Sequence, residues 1–594
     1  MKALLSLRKY FVKYRLSLLL GLVFIILSNL FATVIPSIVR ETIDGLNQED
    51  VNAVHWYSDF IPSYFNSHQR LALLGALFIL VFALLKGVCM YFMRMKLIIM
   101  SRYIEYDQKN EIFRHYQQMG QGFYSKNYTG DLMNRISDDV SKVRMFTGPA
   151  IMYSLNLTIM IIAVVGMMFY VNAEITFYVL IPLPILAVAI YLVSDAMNKK
   201  SDLIQKKLSN ITSYVQETFA GIQVVKSYAS ERDFERDFEV MNETYRKDNM
   251  ALVKINGVFM PVVMGLIGTS ILITLYVGGN AVVRGEFSLG NIVEYIIYVN
   301  MLTWPVASLG YVTSLVQRGA ASQKRIDEFL NVEPNDDNGQ VEISNLANEI
   351  EFKNVWFKYP ETDVWVLEDI SFTIPRNSKF GIIGTTGSGK STIAKLLMGI
   401  YRPVKGDILI DGKAIEVYDR KSLGRIFGYV SQDIFLFSET LKDNILFGIN
   451  DLADSDNLKK AIESASLAAE IESFPDGLET LLGERGITLS GGQKQRTAIA
   501  RALIKNPGIL LIDDGLSAVD TKTEVDIKNS LNAWNKKQTF INISHRISSI
   551  QDSNTIIFLD GGRLIQYGTH LELMGQEGPY LDLYDKQMTL AQEA

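Results

Sequence analysis

Six long apolar runs fill much of the first half of the chain. The predicted spans cover residues 16–39, 71–93, 149–171, 176–194, 258–278 and 292–315. Each is close to the length of about 20 residues that crosses a bilayer, and the first is too long for the apolar core of a signal peptide. Six such runs in succession are not the pattern of buried helices in a soluble core, so they predict six transmembrane helices.

The stretches between spans two and three and between spans four and five are long and polar, yet apolar residues recur every three or four positions over 102–116 and 203–219. That spacing is typical of amphipathic helices, so we expect the spans to continue as helices outside the membrane. Gly130 and Gly221 predict a break at the tip of each stretch.

Lysine and arginine are concentrated in these two stretches, whereas the segment after span one is mostly acidic. The excess of basic residues on one side of the spans predicts a multi-pass protein of the cytoplasmic (inner) membrane. Both termini and both long stretches are then cytoplasmic. A polar, turn-rich segment at 333–342 predicts a linker between a membrane domain, 1–332, and a second domain, 343–594.

The second domain opens with a candidate phosphate-binding loop. The segment 384–391 fits G-x-x-x-x-G-K-[ST] and lies between an apolar run, 380–383, and a helical pattern. Glycines let backbone N–H groups turn inward on phosphates, Lys390 would reach the β- and γ-phosphates, and Ser391 would hold Mg²⁺. The candidate nucleotide-binding residues here are Gly384, Thr385, Thr386, Gly387, Ser388, Gly389, Lys390, Ser391 and Thr392.

Further candidates follow predicted strands, whose carboxyl ends carry the binding groups in open α/β sheets. Asp513 ends the apolar run 509–513 and suits Mg²⁺, and Asp514 after it would act on the attacking water. His545 and Gln432 end two other predicted strands, and Gln432 would contact Mg²⁺ or water. Tyr359 either stacks on adenine or packs in the core.

A serine, two glycines and a glutamine at the start of a helix form a second phosphate-binding surface. These residues are Ser490, Gly491, Gly492 and Gln493. Two such surfaces on one domain predict a dimer, in which each clamps the γ-phosphate held by the partner's loop.

The composition argues against a nucleic-acid partner and against cysteine-based sites. The net charge is −6, which does not favour nucleic acid. Cys89 is the one cysteine, so neither an intrachain disulfide nor a cysteine metal site is available.

Taken together, the motifs resemble those of the ATP-binding cassette (ABC) transporters over essentially the whole chain. The segments 384–391, 489–493, 509–513 and 517–520, with Gln432 and His545, are similar to the Walker A, signature, Walker B, D-loop, Q-loop and switch-histidine motifs. The resemblance implies six membrane helices fused to an α/β P-loop ATPase cassette, with ATP and Mg²⁺ as cofactors. It also implies that Tyr359 stacks on adenine and that the helix breaks are coupling tips.

Asp514 departs from the family pattern, because most such cassettes have glutamate at this position. Aspartate is one methylene shorter, and a misplacement on the order of 1 Å can cost on the order of 10²-fold in rate. The change resembles the degenerate half of heterodimeric bacterial multidrug exporters. It therefore favours a second, different half-transporter as partner, with a homodimer as the alternative.

The implied function is ATP-driven export by alternating access, out of the cytoplasm or the inner leaflet. The expected cargo is an amphipathic small molecule, lipid or peptide, with membrane lipids as further partners. Four aromatic residues of span six either line a cargo cavity or face lipid or pack: Tyr295, Tyr298, Trp304 and Tyr311. The alternatives are an ATP-gated channel or regulator, suggested by slow hydrolysis at Asp514, and a homodimeric lipid flippase.

Overall fold

The protein is described by a computed structural model over residues 2–47, 67–334, 339–360, 362–449, 455–515, 521–534 and 538–593. The chain forms two compact units, one of residues 1–117 and 129–332 and the other of residues 118–128 and 333–594. The sequence placed 118–128 in the membrane domain, but the structure packs this segment with the second unit.

Helices account for nearly all of the described first half. They are α1 (Arg8–Lys13), α2 (Arg15–Asn47), α3 (Ser67–Gln118), α4 (Gln121–Lys126), α5 (Thr129–Asn134), α6 (Val140–Met145), α7 (Ile151–Val171), α8 (Ala173–Leu180), α9 (Pro182–Ala220), α10 (Ile222–Ser227), α11 (Glu231–Val283) and α12 (Leu289–Leu330). Short π-helical turns at Arg135–Asp139 and Phe146–Ala150 join α5, α6 and α7. Among the described residues, six stretches are long and apolar enough to cross a membrane, which confirms the six predicted spans.

The spans do continue as helices outside the apolar runs. Helix α3 has 52 residues, which at the rise of an α-helix is about 78 Å and far exceeds a bilayer core of about 30 Å. The predicted break at Gly221 is confirmed, because α9 ends at Ala220 and α10 begins at Ile222.

The predicted break near Gly130 is present, and it lies just before that residue. Helix α4 ends at Lys126, Asn127 has an extended backbone, and α5 begins at Thr129, so Gly130 lies in the first turn of α5. A further break at Gly120, whose extended backbone precedes α4, was not predicted. A glycine inside a helix costs only about 1 kcal/mol, so the presence of Gly130 did not by itself end a helix.

A buried carboxylate joins α2 to α12. Glu294 is fully buried and accepts hydrogen bonds from Ser37 Oγ at 2.8 Å and Tyr298 Oη at 3.1 Å. Arg40 Nη1 also donates to it at 3.1 Å. A buried charge is tolerated when it is paired and its remaining lone pairs are bonded, as they are here.

We expect Glu294→Ala to destabilise the membrane unit by about 3 kcal/mol, because it leaves the Arg40 guanidinium without its buried partner. This loss of stability is at the low end of the range for breaking a buried ion pair, because the Arg40 side chain is 26% exposed. The thermal unfolding midpoint in lipid nanodiscs measures the loss. Glu294→Gln, which keeps an oxygen acceptor, should lose less; equal midpoints for alanine and wild type would contradict the prediction.

Two of the four aromatic residues of span six pack rather than line a cavity. Tyr295 and Tyr298 are fully buried, and Tyr295 Oη donates to Met168 O at 2.7 Å. Trp304 and Tyr311 remain 71% and 50% exposed.

The second unit contains two sheets. Its strands are β1 (Glu349–Phe357), β2 (Leu367–Pro375), β3 (Lys379–Gly384), β4 (Lys405–Ile410), β5 (Lys413–Ala414), β6 (Phe427–Val430), β7 (Ile509–Asp513), β8 (Thr539–Ile543), β9 (Thr555–Asp560) and β10 (Arg563–Gly568). An antiparallel sheet has the order β2-β1-β4-β5, and a mainly parallel sheet has the order β10-β9-β3-β8-β7-β6. Parallel strands β3, β8, β7 and β6 are adjacent, so their carboxyl ends share one edge.

The helices of this unit, besides α4, cover these sheets or form a second cluster. They are α13 (Lys390–Leu397), α14 (Arg420–Ile426), α15 (Leu441–Leu446), α16 (Ser455–Ser464), α17 (Ala468–Ser473), α18 (Gly491–Leu503), α19 (Thr521–Trp534), α20 (His570–Met574) and α21 (Pro579–Glu593). One hydrophobic cluster joins both sheets to α13, and another joins α15, α16 and α18. The predicted D-loop, 517–520, lies outside the described residues.

Candidate nucleotide-binding site

The loop between β3 and α13 requires glycine at two positions. A Cβ atom at Gly384 would lie 2.0 Å from the carbonyl oxygen of Leu559 on β9. Gly389 has a φ of +95°, and a Cβ there would lie 2.5 Å from Leu367 Cδ2. Only glycine allows the strand to turn this tightly into the helix.

Lys390 begins α13 and folds back over the loop. Its ammonium group donates to the carbonyl oxygens of Gly384 at 2.9 Å and Thr385 at 2.7 Å. The side chain is only 6% exposed, and burial lowers the pKa of Lys390 while the charges of Asp513 and Asp514 oppose this. The site therefore concentrates a cation where phosphate oxygens would bind.

An unused hydroxyl lies in the same loop. Among the described residues, Ser388 Oγ is buried and has no hydrogen-bond partner. Thr385, by contrast, donates to Asp560 Oδ1 at 2.6 Å, whereas Thr386 is exposed. A buried donor without a partner and a folded-back lysine fit a loop that binds phosphate.

The structure brings Ser391 and Asp513 together. Asp513 ends β7 and is 2% exposed; its burial raises its pKa, while a hydrogen bond from Ser391 lowers it. Oxygen ligands of this kind suit Mg²⁺, which is commonly held by one or two carboxylates together with substrate phosphates. Accordingly, the described residues contain no cluster of three or more carboxylate, histidine or cysteine ligands.

Asp514 adopts a left-handed backbone conformation, with a φ of +50°. Its N–H donates to Ile543 O, at the end of β8, at 2.8 Å. Aspartate is among the residues that tolerate this conformation best. Strand β8 thus holds the backbone of Asp514, the residue that departs from the family pattern, through this hydrogen bond.

His545 follows β8 and is half-buried. Burial and the positive charge of Lys390 lower the pKa of His545, and the charge of Asp514 partly compensates. These effects favour the neutral imidazole, which has one nitrogen as donor and one as acceptor. The structure thus groups Lys390, Asp513, Asp514 and His545 at one edge of the sheet.

Gln432 is not among the residues that this group brings together. It is exposed and lies two residues beyond Val430, where β6 ends. Within the described residues, it makes no hydrogen bond to Ser391 or Asp513. Its predicted contact with Mg²⁺ or water stays a prediction.

Tyr359 is half-buried beside α13. Its hydroxyl lies 3.0 Å from Thr392 Oγ1, and the ammonium of Lys395 lies 5.5 Å from its ring centroid. Its ring meets that of Tyr401 edge to face at 5.3 Å. Both tyrosines line a cavity of about 440 Å³ that also includes Gly122 of α4.

Tyr401 and α4 were missed by sequence reasoning. Tyr401 Oη lies 3.3 Å from Ser125 Oγ on α4, so this short helix is packed next to the Tyr359 cavity. The available signal was an aromatic residue two positions after Gly399, shortly beyond the end of α13. The contact with α4 joins segments far apart in the chain, and periodicity does not report such contacts.

The second glycine-rich motif forms a capped helix start. Ser490 Oγ accepts from Gln493 N at 3.3 Å, and Ser490 N donates to Gln493 Oε1 at 2.9 Å. Gly491 and Gly492 are the first residues of α18, where N–H groups lack intrahelical partners. This surface belongs to the second hydrophobic cluster, whereas α13 belongs to the first.

Fold and site define a multi-pass membrane protein with a fused P-loop nucleotide-binding domain. Residues 18–306 match the family model of the ABC transporter transmembrane region, and residues 367–517 match that of the ABC transporter. The chain is 34% identical to the probable multidrug resistance ABC transporter ATP-binding/permease protein YheI of Bacillus subtilis (strain 168), over 98% of this chain and 97% of that protein. It belongs to the ABC transporter family.

Two further comparisons concern export. The chain is 31% identical to the ATP-dependent lipid A-core flippase of Idiomarina loihiensis, covering 95% of this chain and 93% of that protein. The solved structure of a bacterial Atm1-family ABC exporter with ATP bound superposes with a TM-score of 0.74 at 25% identity, covering 98% and 99% of the two chains. The protein is an ATP-driven exporter whose ATPase is coupled to transport, and the channel or regulator alternative is not favoured.

Proposed function

We propose that this chain is one half of a dimeric exporter of the cytoplasmic membrane, with its cassette on the cytoplasmic side, and that it moves amphipathic cargo outward. The observation that carries the ATPase part of the proposal is the grouping of Lys390, Asp513, Asp514 and His545 beside the P-loop. The basic residues of the long helical stretches support the orientation.

In the proposed reaction, water forms a bond to the γ-phosphorus while the bond to the ADP oxygen breaks. Asp514 orients the water and takes its proton, and neutral His545 donates a hydrogen bond to the transferring phosphoryl group. Lys390 offsets the negative charge that develops on phosphate oxygens. Ser391 and Asp513 would hold Mg²⁺, with Gln432 as a further oxygen ligand, and that ion supplies additional charge neutralisation.

Tyr359 would stack on adenine, next to the rings of Phe357 and Tyr401, which line the same cavity. Ser490, Gly491, Gly492 and Gln493 would contact the γ-phosphate bound to the partner's P-loop. Their N–H groups at the start of α18 support this role, because helix N-termini favour anions.

A cavity of about 550 Å³ between α9 and α12 supports an amphipathic cargo. Its α9 wall is apolar over Ala187, Ile190 and Tyr191 and turns polar and charged from Asp195 to Asp202. Such a gradient suits a molecule with an apolar body and a polar head. Relatives described as a lipid A-core flippase and a probable multidrug transporter agree with this class of cargo.

Asp514 favours a heterodimer, in which the other half carries the more active site. The second candidate is a homodimer, and the observation that favours it is that one chain contains the P-loop, an intact signature serine and glycines, and His545. The two assemblies differ in whether this chain alone can complete a competent site.

ATPase activity of the chain purified alone in lipid nanodiscs, with its oligomeric state recorded alongside, distinguishes these assemblies. We expect negligible turnover or no stable dimer, because a partner with a better-placed base is then missing. Brisk turnover by a homodimer would contradict the heterodimer and show that Asp514 is a competent base.

A further inference from the structure

The carboxyl-terminal helix α21 places one side-chain amide against the backbone at His545. Gln587 Nε2 donates to the carbonyl oxygen of His545 at 2.7 Å, and Gln587 Oε1 accepts from the N–H of Ile547 at 3.0 Å. Both ends of the amide are therefore used, and these two partners together specify its orientation.

We propose that Gln587 is a positioning residue that holds His545 at the nucleotide edge of the sheet. The inference rests on the proposed role of His545 in hydrolysis. It assigns a function in the ATPase site to the last helix of the chain, which carries none of the sequence motifs.

The segment after β8 needs such support because it has left the sheet. The last bond of this region to β3 runs from Ser544 N to Ile382 O at 3.0 Å. Beyond it, Arg546 N bonds to a side chain, Ser544 Oγ, at 3.0 Å. Gln587 supplies the next two bonds, on either side of Arg546, before the chain enters a short 3₁₀ turn, Ile547–Ser549.

Helix α21 packs against a buried hydrophobic cluster. Tyr580 is fully buried in a cluster that also contains Ile547 and Ile550, and Leu583 and Tyr584 pack against this cluster. Tyr580, Leu583, Tyr584 and Gln587 follow the i, i+3, i+4, i+7 spacing of one helix face. Gln587 is thus a polar residue on an apolar face, positioned by its neighbours to meet a backbone rather than solvent.

The proposed role of His545 depends on where its imidazole lies relative to two charged side chains. The imidazole of His545 interacts electrostatically with both Lys390 and Asp514. A shift of its backbone would move the imidazole relative to both. Misplacement on the order of 1 Å can cost on the order of 10²-fold in rate.

We expect Gln587→Ala to lower kcat for ATP by about 10- to 100-fold and to leave KM for ATP unchanged. The measurement uses the full chain in nanodiscs, in the wild-type and Asp514→Glu backgrounds, so that a slow native site does not hide the effect. The matched control is Lys586→Ala, an exposed neighbour on the same helix, which should keep wild-type kcat. Equal kcat for Gln587→Ala and Lys586→Ala would overturn the proposal.

A titratable replacement tests the hydrogen-bond pattern itself. In Gln587→Glu, a protonated acid keeps one donor and one acceptor, whereas a carboxylate has no donor for the His545 carbonyl. In the Asp514→Glu background, the ratio of kcat with and without Gln587→Glu should therefore rise as the pH falls from about 8 to about 5, toward the ordinary pKa of a glutamate of about 4.3. Asp585 and Lys586 on the same helix are exposed, as is Arg546 on the facing segment, where it pairs with Glu524 at 3.7 Å. A ratio that stays flat would overturn the positioning role.

The role of His545 is tested separately. If His545→Ala retained wild-type kcat, the proposed role of His545 would fail, and the inference would fall with it. If His545→Ala is inactive but Gln587→Ala is not, the inference alone is wrong. Support requires that adding Gln587→Ala to His545→Ala causes no further loss of residual turnover, because residues that act through one another are not additive.

Discussion

Replacing Lys390 by alanine is expected to lower ATP turnover by at least about 10²-fold and to abolish ATP-dependent transport into vesicles. The ammonium is the buried cation of the P-loop, bonded to the carbonyl oxygens of Gly384 and Thr385 at 2.9 and 2.7 Å. Removing one preorganised electrostatic group from a site of this kind typically costs about 10²–10³-fold in kcat.

The control for Lys390→Ala is Lys459→Ala, which removes an ammonium from the surface of α16, where the side chain is 76% exposed. It should leave turnover and transport unchanged. Size-exclusion profiles and unfolding midpoints establish that both variants fold. Transport that persists in folded Lys390→Ala protein would show that ATP binding and hydrolysis at this loop do not drive export.

Replacing Asp514 by glutamate is expected to raise the turnover of this chain's own site by about 10- to 100-fold. The added methylene moves the carboxylate toward the position that the family's glutamate occupies. The backbone at Asp514 has a φ of +50°, a conformation that is less favourable for glutamate than for aspartate. A small decrease in stability should therefore accompany the faster reaction.

Single-turnover ATP hydrolysis, with the partner's site silenced where a partner is present, measures this effect. Asp552→Glu, at an exposed position, makes the same chemical change elsewhere and should leave the rate unaltered. Asp514→Asn should lower turnover below that of the wild-type chain, because an amide cannot take a proton from water. An unchanged rate in Asp514→Glu would mean that Asp514 is not the limiting base.

The predictions of the membrane spans needed only local information, and they were confirmed. A membrane span is recognised by the length and hydropathy of one continuous segment, and the six spans were confirmed with their helical extensions. The P-loop is similarly local: its glycines and Lys390 act within a few residues of one another, and their spacing alone carries the chemistry.

Helix breaks were only partly predictable. Gly221 itself separates α9 from α10, whereas the break near Gly130 lies at Asn127 and Tyr128, before α5 begins. Glycine merely permits a break at a modest cost; where the chain turns also depends on what packs beside it. For α4, that includes Tyr401, which meets Ser125 at 3.3 Å.

The sequence by itself thus determined the six spans and the fused cassette, because these depend on composition and spacing along the chain. Only the tertiary structure decided that Glu294 bonds Arg40, that Asp514 is held in a left-handed conformation by β8, and that Gln587 reaches His545. Each of these involves groups that are distant in sequence or backbone geometry imposed by a neighbouring strand. Such contacts arise only when segments pack, so no periodicity or motif records them.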